Sequence, residues 1–108
     1  MIFDAQQKSM LRQSLARKLY EYGVPPHDHQ ALLEYLLNGV PTGDFLRLVL
    51  SNDLFGAFGR ADDINSKRLK EICSFLYNEF PSSAYGSPQD YLNWIELHRK
   101  ERATNETN

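Results

Sequence analysis

The sequence predicts a single all-α domain, one compact unit of about six short-to-medium helices. Three observations carry this. Apolar residues recur at spacings of three and four along most of the chain, and no segment shows sustained two-residue alternation. Helix start and stop residues also follow one another so closely that little chain is left for loops. With 108 residues, 42% apolar and 24% charged, there is material for one core and not for two. The expected division is a domain over 1–102 and a polar, disordered tail over 103–108.

The first helix is expected over about residues 5–22, with Leu11, Leu15, Leu19 and Tyr22 on one face; Gly23 ends it and Pro25-Pro26 block its continuation. A second starts near Asp28, placed to cap it, and carries Leu32, Leu33, Leu36, Leu37 and Val40 until Asn38-Gly39 stops it. Thr42 or Asp44 opens a third through about Leu50, in which Arg47 is the one polar residue among Phe45, Leu46, Leu48, Val49 and Leu50. Ser51-Asn52-Asp53 breaks it and caps a short fourth helix bearing Leu54, Phe55 and Phe58. There Gly56 and Gly59 each cost about 1 kcal/mol relative to Ala. Asp62-Asp63 begins a fifth, striped by Leu69, Ile72, Cys73, Leu76 and Phe80 and closed by Pro81. Ser87, Pro88 and Asp90 supply the cap, the first-turn proline and the first-turn acid of a sixth helix with Tyr91, Leu92, Trp94 and Ile95. The expected core is Leu15, Leu19, Leu36, Leu37, Phe45, Val49, Leu54, Phe58, Leu69, Ile72, Leu76 and Ile95.

Charge narrows the function classes. Twelve basic and fourteen acidic side chains give a net charge of −2, with the two signs evenly mixed along the chain. No region makes the positive field on which phosphate-backbone binding relies, so nucleic acid is a disfavoured partner. A lone cysteine, an N-terminus without an apolar leader and no apolar run near membrane-spanning length predict a cytoplasmic protein.

No residue pattern announces catalysis. His27-Asp28-His29 gathers two imidazoles and a carboxylate, but lacks the further ligands that a transition metal needs, and no metal or other cofactor is expected. Cys73, with His98 or His29 as a base, would make a nucleophile; its place in an apolar stripe argues for a buried structural thiol. Asp62, Asp63, Asp53 and Glu71 form no divalent-cation loop. A helix-turn-helix reading of the third and fourth helices would offer DNA mainly Gly56, Ala57, Gly59 and Arg60, too few donors for base edges. The remaining candidates are binding residues. Arg47 and Arg60 are structural ion pairs with Asp44, Asp53 or Asp62, side chains simply exposed at the helix rim, or a clamp for an anion. Asn52 and Asp53 are either helix caps or the centre of a recognition platform. Tyr85, between Ser83 and Gly86, is expected to be an exposed aromatic contact.

Pro25-Pro26-His27, Gly43-Asp44-Phe45-Leu46, Val49 to Leu54, Arg60-Ala61-Asp62, Tyr77-Asn78-Glu79 and Gly86-Ser87-Pro88 leading to Trp94 resemble the pattern of small proteins encoded by phages and prophages of proteobacteria. The resemblance covers about two thirds of the chain, from Pro25 to about Ile95, and departs from the pattern at Tyr85, where Trp is expected. It implies an accessory gene of a mobile element, of a kind often devoted to manipulating the host. The expected function is therefore non-enzymatic: a helical binding protein with a host protein as partner, a defence component among the candidates. The alternatives are a binder of an anionic small ligand such as a nucleotide, a nucleic-acid regulator, and a chain that also forms a homo-oligomer.

Overall fold

The computed structural model describes the backbone of residues 2–107 and the side chains of residues 2–104. Seven α-helices and two single turns of 3-10 helix are present among the described residues, and no strand. They are α1 (Ala5–Tyr22), α2 (His29–Asn38), α3 (Asp44–Leu50), α4 (Leu54–Arg60), α5 (Asp63–Lys67), α6 (Leu69–Glu79) and α7 (Pro88–Thr107). No helix among the described residues is long and apolar enough to cross a membrane.

Local chemistry sets most of the boundaries. Asp4 accepts from the Gln7 amide while the Gln7 side chain accepts from the Asp4 amide, a reciprocal cap that starts α1. Asp53 caps α4 through the Gly56 amide at 2.8 Å, and Asp62 caps α5 through the Asn65 amide at 2.7 Å. Ser87 Oγ accepts from the Asp90 amide and donates to its carboxylate, with Pro88 in the first turn of α7.

Two expectations fail here for identifiable reasons, and the chain after Arg102 is described as helix. Asp28 caps nothing: it ends a 3-10 turn over Pro26–Asp28 with helical backbone angles (φ −95°, ψ −11°), and its carboxylate is buried instead. The helix expected from Asp62-Asp63 to Phe80 is two helices, because Arg68 leaves helical geometry (φ −117°, ψ 14°) with neither Gly nor Pro to announce it. Residues 103–107, expected as tail, continue α7; upstream, Glu96 pairs with Arg99, and Thr104 Oγ1 donates to the Lys100 carbonyl. Asn108 lies outside the described residues.

The core lies where α1 packs on α2 and α6, and where α2 and α3 meet α7. Leu15, Leu19, Leu32, Leu36, Leu37, Ile72, Phe75 and Leu76 are buried, and Tyr35 stacks on Tyr91 with ring centres 5.2 Å apart. The hydroxyl of Tyr35 donates to the Ala84 carbonyl at 2.7 Å, which ties the loop before α7 to α2. Of the expected core, Val49, Leu69 and Ile95 are half-buried against this cluster. Leu54 and Phe58 are a correction: both are largely exposed, because α4 rests on the core through the fully buried Ala57 and turns its large side chains outward.

Asp28 supplies a test of this packing. Burial pushes its carboxyl above the ordinary range, opposed by the nearby His27 ring and the Asn65 amide, and its Oδ2 has no partner. A folded-state pKa raised above the unfolded one favours folding below the ordinary Asp range, and the advantage is lost as pH rises through the folded value. Asp28→Asn should therefore raise the melting temperature at pH 7 and lose that gain near pH 3. A variant less stable than wild type at pH 7 would show that the charged form is the one the fold requires.

Candidate functional site

Four of the five candidate residues separate into two groups near the corner between α3 and α4, and Asp53 stands apart from both. Arg47 and Arg60 form the first. Arg47 Nη2 lies 3.5 Å from Asp44 Oδ1 and Arg60 Nη1 lies 3.7 Å from Asp44 Oδ2, all three side chains being exposed. Arg47 faces solvent at the helix rim. The two guanidinium groups thus converge on a carboxylate of the same chain, as the ion-pair reading expects. Exposed pairs of this kind contribute ~0–1 kcal/mol and do not define an anion cradle.

Asn52 and Tyr85 form the second group. Asn52 adopts a left-handed backbone (φ 63°), which asparagine tolerates better than most residues, and this turns the chain sharply from α3 into α4. Its side chain lines a groove of about 480 Å³ together with Val49, Cys73, Tyr77, Tyr85 and Gly86. Tyr85 is half-buried against the core, a correction to its expected exposure. The cause is the Gly86 amide, which donates to the Leu50 carbonyl at 2.9 Å and pins the loop to the end of α3. Asp53 belongs to neither group, since its carboxylate is spent on capping α4.

The groove carries no charged side chain, and burial pushes the Cys73 thiol up, which disfavours the thiolate that nucleophilic chemistry uses. The histidines weighed as its base are committed elsewhere. His98 Nε2 donates to the Leu36 carbonyl at 3.1 Å, and His29 Nε2 donates to the Val24 carbonyl at 2.7 Å, with its ring edge-on to Tyr20. His27 Nε2 lies 3.4 Å from Asp62 Oδ2 and 3.6 Å from Asp28 Oδ1. No cluster of three or more His, Cys, Asp or Glu among the described residues is arranged to hold a metal ion.

The strongest surface feature includes two residues, Leu54 and Phe58, that periodicity assigns to the core. Phe55 is 95% exposed, with Leu54 at 57% and Phe58 at 60% on the same side of α4. These positions, one and four residues apart, make a continuous apolar stripe. They expose on the order of 400 Å², the size of the largest apolar patch on a typical monomer, and such patches are often functional. The rest of α4 is small: Ala57 touches the core, Gly56 leaves room for the Asp53 cap (a Cβ there would lie 2.6 Å from Oδ2), and Gly59 faces open space. The signal was present in the sequence. A seven-residue helix whose three large apolar side chains, Leu54, Phe55 and Phe58, share one side packs most closely on a core through the small Ala57 on the other.

No family model matches the chain, and comparison with curated proteins and with solved structures finds no match.

Proposed function

We propose that this chain is a non-enzymatic protein-binding module whose contact surface is the outward face of α4, Leu54, Phe55 and Phe58, flanked by Asp53 and Arg60. The observation that carries the reading is Phe55, a phenylalanine 95% exposed on an ordered helix. A large apolar side chain in water contributes nothing to the fold, whereas buried in a partner it contributes on the order of 2 kcal/mol. The resemblance to phage and prophage proteins suggests the kind of partner: a host protein whose activity the accessory factor changes. The nucleotide alternative draws no support from Arg47 and Arg60, which are held by Asp44, while the groove lined by Asn52 and Tyr85 carries no charged side chain.

Phe55→Asp tests the reading. The side chain is too exposed for the change to disturb the fold, so the melting temperature should stay within about 2 °C of wild type. Affinity for a protein captured by the wild-type chain from a proteobacterial lysate should fall at least ~30-fold. Undiminished binding by Phe55→Asp and Phe58→Asp would move the contact surface away from α4.

A further inference from the structure

Resting on the reading of α4 as an interaction face, we infer that a second copy of this chain occupies it, in a two-fold antiparallel pairing of α4 with α4. The positions themselves set the register. A two-fold axis passing between Gly56 and Ala57 places Phe55 of one copy opposite Phe58 of the other, and Leu54 opposite Gly59. All four residues lie on one side of the helix, Phe55 at its centre, with Ala57 on the opposite side against the core. The contact is self-complementary, as a two-fold interface must be.

Gly59 gives the pairing its shape. A Cβ added there would meet nothing within 4 Å, and its φ is not in the left-handed region, so nothing inside the protomer requires glycine. Glycine is nevertheless the poorest helix former after proline. In the pairing its bare backbone receives Leu54 of the other copy, which lets the two helix axes approach to the short end of the usual 8–10 Å range. The antiparallel sense follows from the end charges. Antiparallel packing sets the positive N-terminal end of each helix dipole, where the exposed Asp53 caps the first turn, beside the negative C-terminal end of the other, near the exposed Arg60 that pairs with Asp44, whereas parallel packing would bring like dipole ends together. The area fixes the strength. The three large side chains of each copy bury on the order of 800 Å² in the pair, and their flanks carry the total to roughly the 1,000 Å² of a weak, reversible dimer. Self-association and capture of another protein then compete for one face, and dilution releases it.

Sedimentation of the full chain from about 5 to about 500 µM should show the mass rising from the 12.5 kDa protomer toward twice that value. Phe55→Asp should hold the chain at protomer mass throughout. Gly59→Lys is the sharper variant: it should melt no lower than wild type, since lysine is the better helix former and has open space, yet raise the dissociation constant at least ~30-fold by filling the place of Leu54. A wild type at protomer mass across the range overturns the dimer, as does a dimer that survives both substitutions. The two readings also fail separately. A monomeric wild type whose capture of another protein is still lost with Phe55→Asp overturns self-association and leaves the protein-binding reading intact. A dimer dissolved by both variants, with capture untouched by Phe55→Asp, supports self-association and removes the other protein from α4.

Discussion

Gly39→Ala should destabilise the fold by about 3–5 kcal/mol, a large part of the 5–15 kcal/mol that holds a domain of this size together. Two independent costs add at this position. Gly39 ends α2 with a left-handed backbone (φ 67°), where a Cβ costs about 1 kcal/mol or more. The same Cβ would also sit 2.4 Å from His98 Cβ and 2.8 Å from its Cγ. Those atoms are the stem of a buried ring on α7, not the loose end of a surface side chain, so relief requires α7 itself to move away from α2. Gly23 provides the control. It ends α1 with φ 82°, but its nearest neighbour is Glu71 Cγ at 3.6 Å, an ordinary contact. Gly23→Ala should therefore cost only the backbone strain, ~1–2 kcal/mol. Urea melts of both variants decide the point. Equal losses would mean that α7 yields at little cost and that only the backbone angle matters at Gly39.

How much of this could be read beforehand depends on the scale of the signal. Ends of α1, α2, α4, α5 and α7 are written in single residues whose chemistry is local. Asp53 and Asp62 reach amides three residues ahead, Gly23 and Gly39 adopt angles that other residues resist, and Pro88 fits only a first turn. The break at Arg68 was illegible because nothing local causes it. The residues on either side include neither Gly nor Pro, and no side chain caps the start of α6.

The candidate site was half legible for a related reason. Spacing shows which residues share a face of a helix, but not whether that face points inward. For α1 and α6, several turns long, the apolar stripe and the core coincide, as Leu15, Leu19, Ile72 and Leu76 show. In α4, less than two turns long, the stripe of Leu54, Phe55 and Phe58 points to solvent, because Ala57 lets the helix settle closer than a phenylalanine would. Arg47 and Arg60 both meet Asp44, one of the three partners that sequence allows, because a helix brings residues three apart together and the turn from α3 into α4 brings Arg60 back. Tyr85 was misjudged because the contact that buries it, Gly86 to Leu50, joins residues 36 positions apart.

Trp94→Ala should cost ~3–5 kcal/mol, and comparison with a second substitution shows why. At the end of α2 the Gly39 amide donates to the Tyr35 carbonyl at 2.9 Å, and the carbonyls after it lie beyond the reach of the helix's own amides. Carbonyls of this end are met from one face of α7, by side chains four residues apart. Trp94 Nε1 donates to the Tyr35 carbonyl at 3.0 Å and to that of Leu36 at 3.2 Å; His98 Nε2 donates to Leu36 at 3.1 Å; Arg102 donates to Asn38 at 2.7 Å. Because a carbonyl only accepts, His98 must carry its proton on Nε2, and burial pushes its pKa down, which favours the neutral ring. α7 is thus both a wall of the core and the cap of α2. The indole is buried, packed edge-on against His98 at 5.1 Å, so its loss removes apolar contact and a donor together. Trp94→Phe keeps most of the contact and removes the donor, and should cost only ~1–2 kcal/mol. Arg102→Ala, at the exposed end of the same face, should cost less than ~1 kcal/mol. If Trp94→Phe proved as damaging as Trp94→Ala in urea melts, the hydrogen bonds to α2 and not the packing would be what α7 chiefly provides.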